Sequence, residues 1–180
     1  VVVSSSVTSA VLGTMLALAL SRHRFRGRPA VESLLYVPLV TPEIVVGISL
    51  LVLFATLGVR LGLTTIVLAH VAFSISFVTV VVRARLAGMD EGIFEAARDL
   101  GATPWMTFRR VTFPLILPAL VAGFLMSFTL SIDDFVITFF VAGVGVTTLP
   151  LQIYSMIKVA VTPEVNAVST LLMALTLTLV

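Results

Sequence analysis

Three acids in this 180-residue chain stand in or beside strongly apolar segments, and they are the residues best placed to do chemistry: Glu43, Asp133 and Asp134. A carboxylate at a membrane-helix centre costs about 2.5–3.5 kcal/mol on insertion scales, so such groups normally face a bundle interior or a water-filled path. There they could replace the hydration of a cation, and Tyr154 in the segment beyond joins them as a candidate for the substrate path. The competing role is structural: bonding internally, capping broken helix ends, or lying at the external interface. Adjacent helical residues point about 100° apart, so Asp133 and Asp134 cannot face one path equally. The same geometry argues against an intramembrane aspartyl enzyme, which needs two carboxylates facing one another across a site.

Other chemistries find little support. The chain has no cysteine, and its two histidines, His23 and His70, are far apart, so no metal site is expected. His70 lies in an apolar run and reads as a packing residue. There is no G-x-x-x-x-G-K-[ST], and Gly143-x-Gly145 lacks the rest of a dinucleotide fingerprint. No Ser/His/Asp set or H-E-x-x-H appears, so no cofactor is expected and the chain does not read as an enzyme.

The elements that must position these residues follow from composition. The chain is 59% hydrophobic and 11% charged, against about 25% charged in soluble domains. Mean hydropathy is +1.18. Lipid is the expected solvent and an all-α polytopic membrane helix bundle the expected fold. Apolar segments cover about 1–20, 34–57, 63–82 and 114–141, and a fifth begins near 165. The first carries Ser9, Gly13 and Ala17 at i, i+4 and i+8, a small-residue stripe for close helix packing. Pro38 and Pro42 are expected to kink the start of the second.

Charge sets the topology. Arg22, Arg24, Arg26 and Arg28 form one basic cluster, and Arg83, Arg85, Arg98, Arg109 and Arg110 form another. Each adjoins an apolar span, which points to the positive-inside rule and not to nucleic acid. Nine basic residues then lie inside, against Arg60 and Lys158 outside. Glu43 is expected nearer the cytoplasmic side, and 143–164 outside, as an interfacial helix or a connecting loop. The chain begins without Met and ends in an apolar run, so it reads as a fragment of one transmembrane domain, 1–180. Its first span would be missing and its last incomplete, leaving about five of six. No signal peptide is recognisable.

Between the third and fourth apolar segments lies a charged island, about 86–113. Asp90 is placed to cap a helix beginning at Glu91. Ile93, Ala96, Ala97 and Leu100 share one face, with Glu91, Glu95, Arg98 and Asp99 opposite. Gly101 is placed to end that helix in a left-handed conformation. Thr103 and Pro104 start the next, and Pro114 marks the start of the fourth span. The polar face carries three acids and one base, the wrong sign for an anionic lipid surface. A groove on a partner protein suits the helix better.

The run Glu95-Ala96-Ala97, three residues, Gly101, nine residues, Val111-Thr112-Phe113-Pro114 resembles the EAA loop of ATP-binding cassette (ABC) importer permeases. Val111 and Phe113 stand where that family has isoleucine and leucine. Segments 38–43, 131–138, 147–155 and 161–167 are similar to spermidine/putrescine importer permeases. The resemblance implies a type I ABC importer permease in a bacterial inner membrane, with multiple spans. It implies a coupling helix over Glu95–Gly101, with Val111 and Pro114 completing the motif. It implies as partners an ABC ATPase dimer, an extracytoplasmic solute-binding protein and a second, different permease subunit. Polyamines are the implied solute, with ferric iron or a phosphonate as alternatives within the superfamily.

Overall fold

The computed structural model describes residues 1–23, 25–159 and 163–179. Arg24, the stretch 160–162 and Val180 lie outside the described residues, so Val161 and Thr162 of the resemblance cannot be placed. The described residues form helices and connecting turns, with no strand. In chain order the helices are α1 (Val2–Arg22), α2 (Arg28–Val40), α3 (Glu43–Thr56), α4 (Leu63–Ala87), α5 (Glu91–Asp99), α6 (Pro104–Thr107), α7 (Phe113–Ile132), α8 (Val136–Val141), α9 (Leu149–Val159) and α10 (Pro163–Leu179). A π turn at Phe108–Thr112 joins α6 to α7.

Among the described residues three helices are long and apolar enough to cross a membrane: α1, α4 and the continuous helix Pro104–Ile132. They pack on one another because small residues let their backbones approach. Val78 of α4 sits between Gly13 of α1 and Gly123 of α7. A Cβ at Gly13 would come within 2.8 Å of Val78 Cβ, and one at Gly123 within 3.2 Å of its Cγ1. Ser9, Gly13 and Ala17 are all buried, so the stripe serves internal packing. Several hydroxyls at the start of α1 are satisfied locally: Ser6 Oγ donates to Val2 O (2.8 Å) and Thr8 Oγ1 to Ser4 O (2.7 Å).

Two expected spans are broken. The segment 34–57 is two helices, α2 and α3, meeting at 118°, and each alone is too short to cross. The break falls at Thr41–Pro42. Pro42 has no N–H, and its ring pushes Thr41 into an extended conformation (φ −84°, ψ 133°). Pro38 stays inside α2, so the turn is sharper and later than a kinked start. The segment 114–141 is likewise interrupted after Ile132, and α8 resumes at Val136. At its other end that helix begins at Pro104, ten residues before the expected start at Pro114. The π turn, with Phe113 N donating to Phe108 O, carries the chain past Pro114. With α2 and α3 taken together as one span the count reaches four, while α10 has 17 residues.

A second cluster joins α3, α4 and α8 through Phe54, Ile66, Phe73, Ile137 and Val141. Gly47 of α3 lies against Phe140 and Ile137 of α8. The two interrupted segments therefore pack on each other. Gly143 explains itself in the same way: a Cβ there would collide with the Leu61 carbonyl, so its glycine serves close packing.

Gly13→Ala should destabilise the bundle by about 1–3 kcal/mol, the usual range for overpacking a tight contact. The readout is the unfolding midpoint in detergent. Adding Val78→Ala to the same chain should recover part of the loss, and an unchanged midpoint for Gly13→Ala would show that these helices do not meet there.

Candidate functional site

The charged island folds as its caps dictate. Asp90 Oδ1 accepts from Gly92 N (2.9 Å) at the start of α5. Gly101 has φ +76°, and Gly101 N and Ala102 N donate to Arg98 O (2.8 Å) and Ala97 O (3.0 Å), closing the helix. Thr103 Oγ1 accepts from Met106 N (3.3 Å), and Pro104 follows at the first helical position. No residue of α5 is buried. Leu100 is 88% exposed and Trp105 66%, and Ile93, Ala96 and Glu95 are exposed too. Ala97 is only partly covered. This helix lays an apolar and acidic surface outward, with little of its own chain against it.

One contact tethers it. The Arg22 guanidinium, at the end of α1, lies 5.1 Å above the Phe94 ring. Arg22 Nη2 also donates to Thr112 Oγ1 in the π turn (2.7 Å). A cavity of about 870 Å³ opens beside it, lined among others by Arg22, Arg28, Arg83, Glu91, Glu95 and Arg98. Glu32, just before the apolar run of α2, bridges Arg28 (3.1 Å) and Arg83 (2.8 Å). The Arg28 hydrogen bond, aided by the Arg83 charge, holds its carboxyl below the usual carboxylate range. Sequence spacing shows the Arg28–Glu32 pair at i, i+4, but not Arg83, which is 51 residues away. Val111 and Pro114 are not on α5. They lie in the π turn and the first turn of α7, inside the continuous helix Pro104–Ile132.

Toward the other end, the two adjacent aspartates part company at the α7–α8 break. Asp134 turns inward, with its side chain 7% exposed. Its Oδ2 accepts from Thr138 Oγ1 (2.6 Å), Thr138 N (2.8 Å) and His70 Nε2 (3.1 Å), and its Oδ1 from Ile137 N (3.2 Å). It caps α8 and faces a histidine on α4. His70 is buried, as a packing residue would be, but both its ring nitrogens are engaged. Nδ1 meets Ser131 Oγ at 2.6 Å, and Ser131 Oγ meets Ser5 Oγ of α1 at 3.0 Å. A lone histidine in an apolar run carries no mark of partners 61 to 68 residues away, which is why sequence reasoning missed this hub.

Asp133 turns the other way. It is exposed and shares a pocket of about 340 Å³ with Phe135, Tyr154 and apolar residues of α9 and α10. The Phe135 and Tyr154 rings lie 4.5 Å apart, and Lys158 Nζ sits 4.7 Å above the Tyr154 ring. Asp133 and Asp134 thus have separate surroundings and form no dyad. Glu43, the first residue of α3, is exposed and near enough to both aspartates for their charges to act on it. The break at Thr41–Pro42 starts α3 beside α8. Segment 143–164 holds the helix α9, Leu149–Val159. Among the described residues no group of three His, Cys, Asp or Glu could hold a metal.

Comparison with known proteins bears on this arrangement. The family described as "Binding-protein-dependent transport system inner membrane component" matches residues 9–180. The chain is 47% identical over 178 residues to the spermidine/putrescine transport system permease protein PotC of Escherichia coli (strain K12), covering 99% of this chain and 67% of that one. It is 44% identical over 176 residues to the putrescine transport system permease protein PotI of the same strain, covering 94% and 63%. A solved structure of the MetNI methionine ABC transporter, in an inward-facing conformation, superposes with a TM-score of 0.74 at 20% identity, covering 99% of this chain and 87% of that chain. That likeness establishes a shared fold.

Arg22→Ala should speed hydrogen exchange of the α5 amides about tenfold, since the lost cation–π contact and hydrogen bond are together worth about 1–2 kcal/mol. Arg22→Lys should fall between. Exchange unchanged in Arg22→Ala would mean that α5 is held by something else.

Proposed function

This chain belongs to the binding-protein-dependent transport system inner membrane component family, and from that premise we propose that it is the permease subunit of an ATP-driven polyamine importer. It is a transport component of the inner membrane, working with an ATPase and a binding protein, and its relatives are permease proteins, not enzymes. The observation that carries the solute is the 47% identity to a spermidine/putrescine permease across 99% of the chain. The pocket chemistry agrees. A polyamine alternates ammonium groups with short methylene runs, and Asp133 with the Tyr154 ring beside apolar walls offers both kinds of contact. Glu43 and Asp133 supply carboxylates to the path. Asp134, with its oxygens already engaged, supports the path as a structural residue.

In this reading the whole span 1–180 is one permease domain. Glu95, Ala96, Ala97 and Gly101 form the coupling surface, with Val111 and Pro114 setting the angle at which the long helix meets it. The outward face of α5, with exposed Leu100 and Trp105 beside Glu91 and Glu95, fits a groove on an ATPase subunit. Movement of that groove would be passed through α5 and the π turn to α7 and α1. The partners are an ATPase dimer, a second and different permease subunit, and an extracytoplasmic binding protein. The chain would cross the bacterial inner membrane several times.

The test is ATP-dependent uptake of labelled putrescine and spermidine by the assembled transporter in proteoliposomes. Asp133→Asn should raise KM about tenfold or more, matching loss of a charge-assisted contact of about 1.5–3 kcal/mol. An unchanged KM would remove Asp133 from the path, and uptake of ferric iron or a phosphonate instead would overturn the solute. Combining Gly101→Pro with Glu95→Lys should abolish substrate-stimulated ATP hydrolysis, because proline cannot adopt φ +76°. Fully coupled transport by that variant would refute the coupling assignment.

A further inference from the structure

Two adjacent carboxylates of identical chemistry occupy opposite surroundings at the α7–α8 break, and something must decide which one turns in. Among the described residues Asp134 has four donors: Ile137 N, Thr138 N, Thr138 Oγ1 and His70 Nε2. The first three belong to the next turn of the same segment and would follow it if it rotated. Only His70 comes from another element, the long helix α4. It is therefore the one donor that ties the rotation of the break to the bundle. Its ring is itself held. With Nε2 donating to Asp134 Oδ2 at 3.1 Å, Nδ1 faces Ser131 Oγ of α7 at 2.6 Å, and Ser131 Oγ meets Ser5 Oγ of α1 at 3.0 Å. Thr138 Oγ1, 2.9 Å from Nε2, closes the hub from α8. α7 and α8 meet this α4 side chain, which is 3% exposed, and α1 joins through Ser131.

We propose that His70 is a positioning residue for transport: by holding Asp134 inward from α4 it turns Asp133 into the pocket it shares with Tyr154. Free of that tie, the segment 133–135 keeps its helix cap but loses its orientation against α9. The inference rests on the reading of Asp133 and Tyr154 as part of the substrate path, so its test has a readout that does not depend on transport.

The chain has no cysteine, which allows the pair Asp133→Cys and Tyr154→Cys to be cross-linked with a short bis-maleimide in the assembled transporter. Three substitutions of His70 are compared in that background. His70→Gln can set an amide donor near the Nε2 position and should keep the cross-linking rate within about twofold. His70→Asn reaches Ser131 but not Asp134, and His70→Leu reaches neither. Both should lower the rate about tenfold, as expected for loss of a hydrogen bond to a charged group. Should His70→Leu fail to assemble, Gln against Asn still decides. Equal rates in all assembled variants, or an equal fall in Gln and Asn, would overturn the proposal. The same His70 substitutions with Asp133 and Tyr154 intact should raise the KM for putrescine in Asn and Leu, with kcat little changed. Altered cross-linking with an unaltered KM would uphold the role of His70 and overturn the assignment of Asp133 to the substrate path.

Discussion

A helix that breaks inside an apolar bundle exposes N–H groups that no water can reach, and each must find an acceptor. In this chain the break after Ile132 is made tolerable by Asp134. Its carboxylate takes the first free N–H groups of α8, and a buried charge of that kind in turn needs partners of its own. His70 and Thr138 provide them. Much of the outer half follows from this arrangement. α8 can exist as a six-residue helix, α3 can pack against it through Gly47, and Asp133 is displaced to the other side of the chain. The separate surroundings of Asp133 and Asp134 are thus a by-product of how a backbone break is satisfied.

The inner half answers to a different constraint. In lipid there is no hydrophobic drive between helices, so α1, α4 and α7 are held by close approach. Val78 between two glycines allows little sliding. Arg22 then fastens the end of this three-helix unit both to α5 and to the π turn. A force applied at the exposed face of α5 therefore has a short route into the long helices. The outer break joins the same unit through Ser5, His70 and Ser131, one from each of its helices.

Local signals were legible and held their positions. Asp90, Gly101, Thr103 and Pro104 behave as their neighbours require, because capping involves residues at most four apart. The first and third spans and the small-residue stripe are set by composition and period alone. The broken spans were misread for a common reason. Hydropathy averages over a window, and a window that is apolar throughout gives no sign of a three-residue interruption such as 133–135. Pro42 did announce trouble, but proline reports a missing donor, not the angle at which the chain will leave. The π turn leaves no local mark beyond Pro114, since its hydrogen bonds differ from an α-helix by one residue.

Amino-acid order by itself determined the class of molecule and the form of the capped helix α5. It also narrowed the acids beside the apolar segments to a handful, because there are so few in so apolar a chain. Which of those acids faces a cavity was decided only in three dimensions. Asp133 and Asp134 are chemically equal, and their separation into a pocket residue and a buried cap depends on a histidine 64 residues from Asp134. Glu43 joined them only because α3 starts beside α8. Partners so distant along the chain leave no period, spacing or local propensity to read, so tertiary packing alone could assign the roles.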